Sequence, residues 1–214
     1  MSIFLDHVFI LTDPGAEVGR RLSDLGIIEG PANTHPGQGT ANRRYFFKGF
    51  TIELLFINDR EEALNGTGRV LDLVNRMSDS MASPFGIVVR ESNKESTPGF
   101  PNWQYFPDYF HGKLCFHVGE NSGQHTEPLC ICMPPSLAKA SSIPAEYANP
   151  DWQLSALDIN LPGEQASKTL QHFSAVPMVR FNFGKQHHMH MTFNHGAAGL
   201  SENLGPDLPL TLAW

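Results

Sequence analysis

The feature that most constrains this chain is an internal repeat. Pro14-Gly15 recurs as Pro162-Gly163, and at the same offset Val18, Leu22 and Leu25 land on Ala166, Leu170 and Phe173. Each triplet is spaced i, i+4, i+7, the apolar stripe of one helix. Each helix follows an apolar strand, Ile3 to Leu11 in one copy and Leu154 to Leu161 in the other. Each is followed by two further strands, at 44–48 and 51–57 and again at 179–183 and 187–193. A unit of this kind buries its helix stripe against its own sheet. Two copies predict an α+β fold: two βαβββ-type modules forming a pseudo-symmetric half-open cleft. Residues 1–90 are then the first module and 150–214 the second. Residues 91–149 form an irregular connecting region with short strands. Leu64 to Met77 reads as one more helix through Val70, Val74 and Met77.

Composition narrows the functional classes. The 214 residues carry a net charge of -7 with only 15 Lys and Arg. Nucleic-acid binding lacks its electrostatic footprint. The longest apolar runs fall well short of the roughly 20 residues a membrane span needs, and the N-terminus has no basic region of a signal peptide. Three cysteines without zinc or redox spacing fit a reducing cytoplasm. No nucleotide-binding glycine motif is present. The expected partner is a small molecule, and a homodimer stays open.

Within this frame a few polar residues break the apolar pattern. His7 sits inside the first strand and Glu53 inside Thr51-Ile52-Glu53-Leu54-Leu55. A buried histidine with a hydrogen bond and a surface-facing glutamate are the plain readings. Together on neighbouring strands the two are the start of a Zn, Fe, Ni or Mn site. Superposing the second copy on the first puts His190 in the place of Glu53. If Leu157, Ile159 and Leu161 face the helix, Asp158 turns to the concave face as a fourth ligand. The loop from His35 to Arg43 has two glycines that let backbone approach a ligand. His35, Asn42 and Arg43 are expected on its rim, Arg43 to meet an anionic group. Trp103 leads an aromatic segment, 100–110, suited to stacking on a planar ligand.

Four stretches, LDHVFILTDP, HPGQGTANRRYFF, FTIELLFIND and PLCICMPP, resemble the vicinal-oxygen-chelate superfamily of glyoxalases, extradiol dioxygenases and bleomycin-resistance proteins, and within it the glyoxalase-like domain proteins. The resemblance implies paired βαβββ modules and, in metal-dependent members, ligands on the first strand and the ELL-type strand of each module. Carried over, these are His7, Glu53 and His190; Asp158 is added from its strand face alone, not from the family. The implied function is a glyoxalase- or dioxygenase-like enzyme acting on a small oxygen-bearing metabolite with a divalent metal, Glu53 serving as ligand or catalytic base. The alternative is a non-catalytic protein that sequesters a small molecule.

Overall fold

In the computed structural model, residues 3–91, 97–134, 137 and 144–214 are described. The elements run β1 (Ile3–Leu11), α1 (Gly19–Asp24), β2 (Gly30–His35), β3 (Thr40–Phe47), β4 (Phe50–Ile57), α2 (Arg60–Asn65), α3 (Leu73–Ser78), β5 (Phe85–Glu91), β6 (Asn102–Tyr105), β7 (Phe116–Gly119) and β8 (Leu129–Cys132). They continue with β9 (Ala148–Asn149), β10 (Leu154–Pro162), α4 (Lys168–Phe173), β11 (Val179–Gly184), β12 (His188–Phe193), β13 (Ser201–Asn203) and β14 (Leu210–Ala213). Among the described residues no helix is long and apolar enough to cross a membrane.

The strands form two sheets. The larger has the order β2-β3-β4-β1-β5-β8-β7-β6, with β9 added alongside β3. Its two halves repeat one pattern. β1 lies parallel to β4, and β4-β3-β2 run on antiparallel. Likewise β5 lies parallel to β8, and β8-β7-β6 run on antiparallel. The halves join through the antiparallel pair β1–β5. The fold is thus α+β, two βαβββ-type modules curving around one half-open cleft. The described residues between β5 and β6 hold no helix.

The second module, however, is 85–132, not 150–214. Residues 154–213 build a separate five-stranded sheet, β11-β10-β12-β14-β13, in which β10 has strands on both sides. The repeat detected in the sequence is real as a strand–helix–strand, since β10 and β11 are parallel across α4. It does not carry the strand order of the first module. An apolar strand followed by a helix stripe marks any βαβ unit. The actual pseudo-repeat was hidden because β6, β7 and β8 are only four residues each. The helix expected over Leu64 to Met77 is broken too. Asp72 has φ 54°, in the left-handed region, and separates α3 from a 3₁₀ turn at Thr67–Leu71.

Each face of the large sheet has its own apolar cluster. Val8, Ile10, Ile52, Leu54, Ile87 and Val89 pack with Leu22, Leu170 and Phe173 of the helices and with Leu157, Ile159 and Met189 of the small sheet. Phe9, Leu55, Val88, Leu129 and Ile131 gather on the opposite, cleft-side face. Strand alternation sorts Ile52 and Leu54 to one face and Leu55 to the other.

Candidate acid–base site in the cleft

A cavity of about 230 Å³ opens on the cleft side of the large sheet. His7, Asn33, His35, Gln38 and Glu53 line it from the first module, while Val88, Tyr105, Tyr109, Phe110, Phe116 and Ile131 line it from the second. One half is polar and the other apolar and aromatic.

A β-bulge builds the polar half. Leu5 pairs with Val89 and His7 with Val88, so Asp6 is an extra residue in β1. Ile3 and Leu5 before it and Val8 and Ile10 after it all belong to the same core cluster. The parity of the strand therefore flips at the bulge, and Asp6 and His7 emerge together. Asp6 Oδ1 lies 2.7 Å from His7 Nδ1. Arg90 Nε makes an ion pair with the other carboxylate oxygen at 2.7 Å, without hydrogen-bond alignment. Burial draws the His7 imidazole down, but the charges of Glu53 and Asp6 and the Asp6 hydrogen bond outweigh it and raise its pKa. Burial pushes the Asp6 carboxyl up, and His7 and Arg90 together more than reverse this. With Nδ1 engaged, Nε2 is the His7 nitrogen left for a ligand.

Glu53 is held by Asn42, whose Nδ2 donates to Oε2 at 3.0 Å. Asn42 is itself buried and accepts from the Asn33 amide at 2.9 Å. His35 Nδ1 is 2.9 Å from Thr40 Oγ1, and its ring packs on Tyr109 with centroids 5.5 Å apart. Burial, with Arg44 and His7, lowers the His35 pKa and favours the neutral ring, against Glu53, which raises it. Gln38 ties the halves together: it donates to Thr40 Oγ1 at 2.8 Å and accepts from Tyr105 Oη at 3.1 Å. Burial drives the Tyr109 phenol far above its ordinary value, with Tyr105 and Glu53 adding to the effect.

The residues read from the sequence separate into two groups. His7, Glu53 and His35 meet at the cavity, and Asn42 stands behind Glu53. The others are elsewhere. Arg43 faces away, donating to both Glu29 carboxylate oxygens and to the Ala16 carbonyl at 2.8 Å. Its register partner Leu54 is a core residue of the opposite face. Trp103 donates to Ser122 Oγ at 3.1 Å and borders a shallow surface with Asp72 and His125. His190 and Asp158 pair with each other across β10 and β12 of the small sheet. Asp158 there holds Arg180 through both oxygens, at 2.6 and 2.9 Å. The glycines of the His35–Arg43 loop serve packing instead of ligand approach: a Cβ on Gly39 would strike Asp59 O and the Ala63 backbone.

This placement corrects the expected metal centre. With 85–132 as the second module, the strands matching β1 and β4 are β5 and β8, which offer Val88, Leu129 and Ile131 to the cleft side. None is a donor. Among the described residues no group of three or more His, Cys, Asp and Glu is gathered to hold a metal. The donors at the cavity come from the first module alone, with His190 and Asp158 on the other sheet, so the residues present do not fit the divalent site expected from both modules. Sequence reasoning missed Asp6, Gln38 and Phe116. The adjacent polar pair Asp6-His7 inside an apolar strand was the readable sign of the bulge.

The class defined by this geometry is a paired-module α+β protein with an amphipathic cavity on the cleft side of its large sheet. The chain is similar over 99% of its length to 98% of a crystal structure of a hypothetical protein from Staphylococcus aureus, with 14% identity and a TM-score of 0.58. At that identity the likeness speaks for the fold alone. Methylmalonyl-CoA epimerase from Mycobacterium tuberculosis matches 64% of this chain and 92% of its own, with 13% identity and a TM-score of 0.37, a superposition too loose to argue from. Neither a family model nor a curated protein sequence matches the chain.

Proposed function

We propose that this chain is a vicinal-oxygen-chelate-type enzyme that moves a proton at a carbon beside a carbonyl, using His7 and Glu53. The observation that carries the reading is the bulged Asp6–His7 pair, which leaves Nε2 for a cavity that Glu53 also lines. The Glu53 carboxylate takes the proton from carbon. His7 Nε2–H donates to the carbonyl oxygen as charge develops there, and the raised His7 pKa keeps that proton in place. Return of a proton from Glu53 to that carbon re-forms the carbonyl compound with no atom gained or lost, so the step shows as exchange with solvent at that carbon, and delivery to its opposite face would invert it. The aromatic half holds the apolar remainder of a molecule small enough for about 230 Å³.

A second reading is favoured by that apolar half: a protein that only sequesters its ligand. Proton exchange separates them. A panel of small ketones and 2-oxo acids is incubated with the protein in D2O and followed by NMR. Deuterium at the carbon beside the carbonyl, lost in His7→Ala and Glu53→Gln, supports the enzyme. Saturable binding without exchange for any member leaves the sequestering reading.

A further inference from the structure

The small sheet carries polar chemistry that the cleft does not use. In β12, Met189, Met191 and Phe193 are fully buried, which fixes His188 and His190 together on the outer face. β12 is a central strand, clamped by β10 on one side and β14 on the other. Register sets Asn160 opposite His188, and Asp158 and Thr211 on either side of His190. His188 Nε2 lies 2.8 Å from Thr211 Oγ1. Thr211 is in register with His190, not His188, so the His188 ring leans along the strand toward its neighbour. The Asp158 carboxylate beside them is held by Arg180.

We propose that His188 and His190 form a bidentate surface site for a late first-row divalent cation, completed by water. Alternate residues of a strand stand roughly 6.6–6.8 Å apart. A metal bound at about 2.0–2.1 Å to each imidazole needs nitrogens only about 3–4 Å apart, and the lean of His188 along the strand is in the direction that closes this gap. Imidazole ligands without thiolate select Cu2+, Ni2+ and Zn2+, with Cu2+ the tightest. Asp158 at the rim is already paired with Arg180 through both oxygens, which leaves the two imidazoles as the ligands. This site is on the other sheet from the cleft, so it stands or falls independently of the acid–base reading.

The test is a Cu2+ titration of the untagged chain, read by calorimetry and by NMR of the histidine rings. One equivalent should bind, and the His188 and His190 ring signals should broaden before those of the other histidines. His188→Ala and His190→Ala should each weaken binding by at least about tenfold, the loss that even an outer partner of a ligand costs. His187→Ala should not, because His187 lies on the opposite face with Nε2 3.0 Å from the Met81 carbonyl. Unchanged affinity in the His188→Ala/His190→Ala double variant, no stoichiometric binding, or earlier broadening at other histidines would each overturn the site. The wild-type ring signals decide the matter even if a variant does not fold.

Discussion

Asp6 and His7 are consecutive in sequence yet share one face of a strand, with Asp6 Oδ1 2.7 Å from His7 Nδ1. In a regular strand they would point to opposite faces. The bulge thus converts two neighbours into an oriented carboxylate–imidazole pair, fixed from behind by Arg90.

Asp6→Asn should therefore lower the His7 pKa, read from ring chemical shifts against pH. It removes a charge that helps hold the ring protonated and leaves only a neutral amide oxygen as the acceptor at Nδ1. Stability follows with a defined sign. The raised His7 pKa contributes stability fully present below the ordinary 6.5 and lost as pH rises through the folded value above it. The lowered Asp6 pKa contributes stability present above 3.8 and lost as pH falls through the folded value below it. Denaturation midpoints of the wild type should fall on both limbs, and Asp6→Asn should flatten both. A variant with the wild-type profile would mean that the pair is idle.

Glu53→Gln keeps the shape of the side chain and its contact with Asn42 while removing the charge. Exchange at carbon should fall by about 10²–10⁴, the usual contribution of a positioned base. The His7 pKa should fall as well, because after burial, which lowers it, the Glu53 charge is the largest influence on that ring. Full exchange activity in Glu53→Gln would remove it from the chemistry.

His7 and Glu53 were legible because each is a titratable residue inside an apolar strand, and His35 because it heads a glycine-rich loop between two strands. The architecture of paired modules was legible through the first copy, whose strands are six to nine residues long. The second copy was not, because four-residue strands give too few alternations to reveal a period. His190 and Asp158 were drawn to the cleft by that error. They are neighbours after all, but on a sheet that packs against the far side of the first module. Arg43 misled for a different reason: its sequence neighbours His35 and Asn42 serve the site, but alternation turns it to the other face.

Arg43→Met should consequently damage stability and not binding. Arg43 is largely buried, and its guanidinium joins Glu29 on one side to the Ala16 carbonyl on the other. Its loss leaves these acceptors without their donor, at a cost of about 1–3 kcal/mol. The urea midpoint should drop while ligand affinity of the folded protein stays unchanged. Loss of affinity at unchanged stability would restore Arg43 to the rim.

Gly86 in β5 is opposite Phe9 in β1, and a Cβ at that position would fall within the Phe9 ring. The ring lies across the bare glycine, and Phe9 lines the cavity. Gly86→Ala has no backbone conflict, since Gly86 is not among the positive-φ residues. Its whole effect must pass through the displaced ring. Overpacking of this kind costs about 1–3 kcal/mol, and the ring borders the cavity, which offers it space to move into. Gly86→Ala should lower the urea midpoint and weaken binding of any ligand that fills the apolar half. Phe9→Leu removes the ring's outer atoms and the conflict with them. The double variant should then be less destabilised than the sum of the two single variants, a coupling between contacting residues that a double-mutant cycle measures directly. Strict additivity would show that the Phe9 ring does not rest on Gly86 in solution.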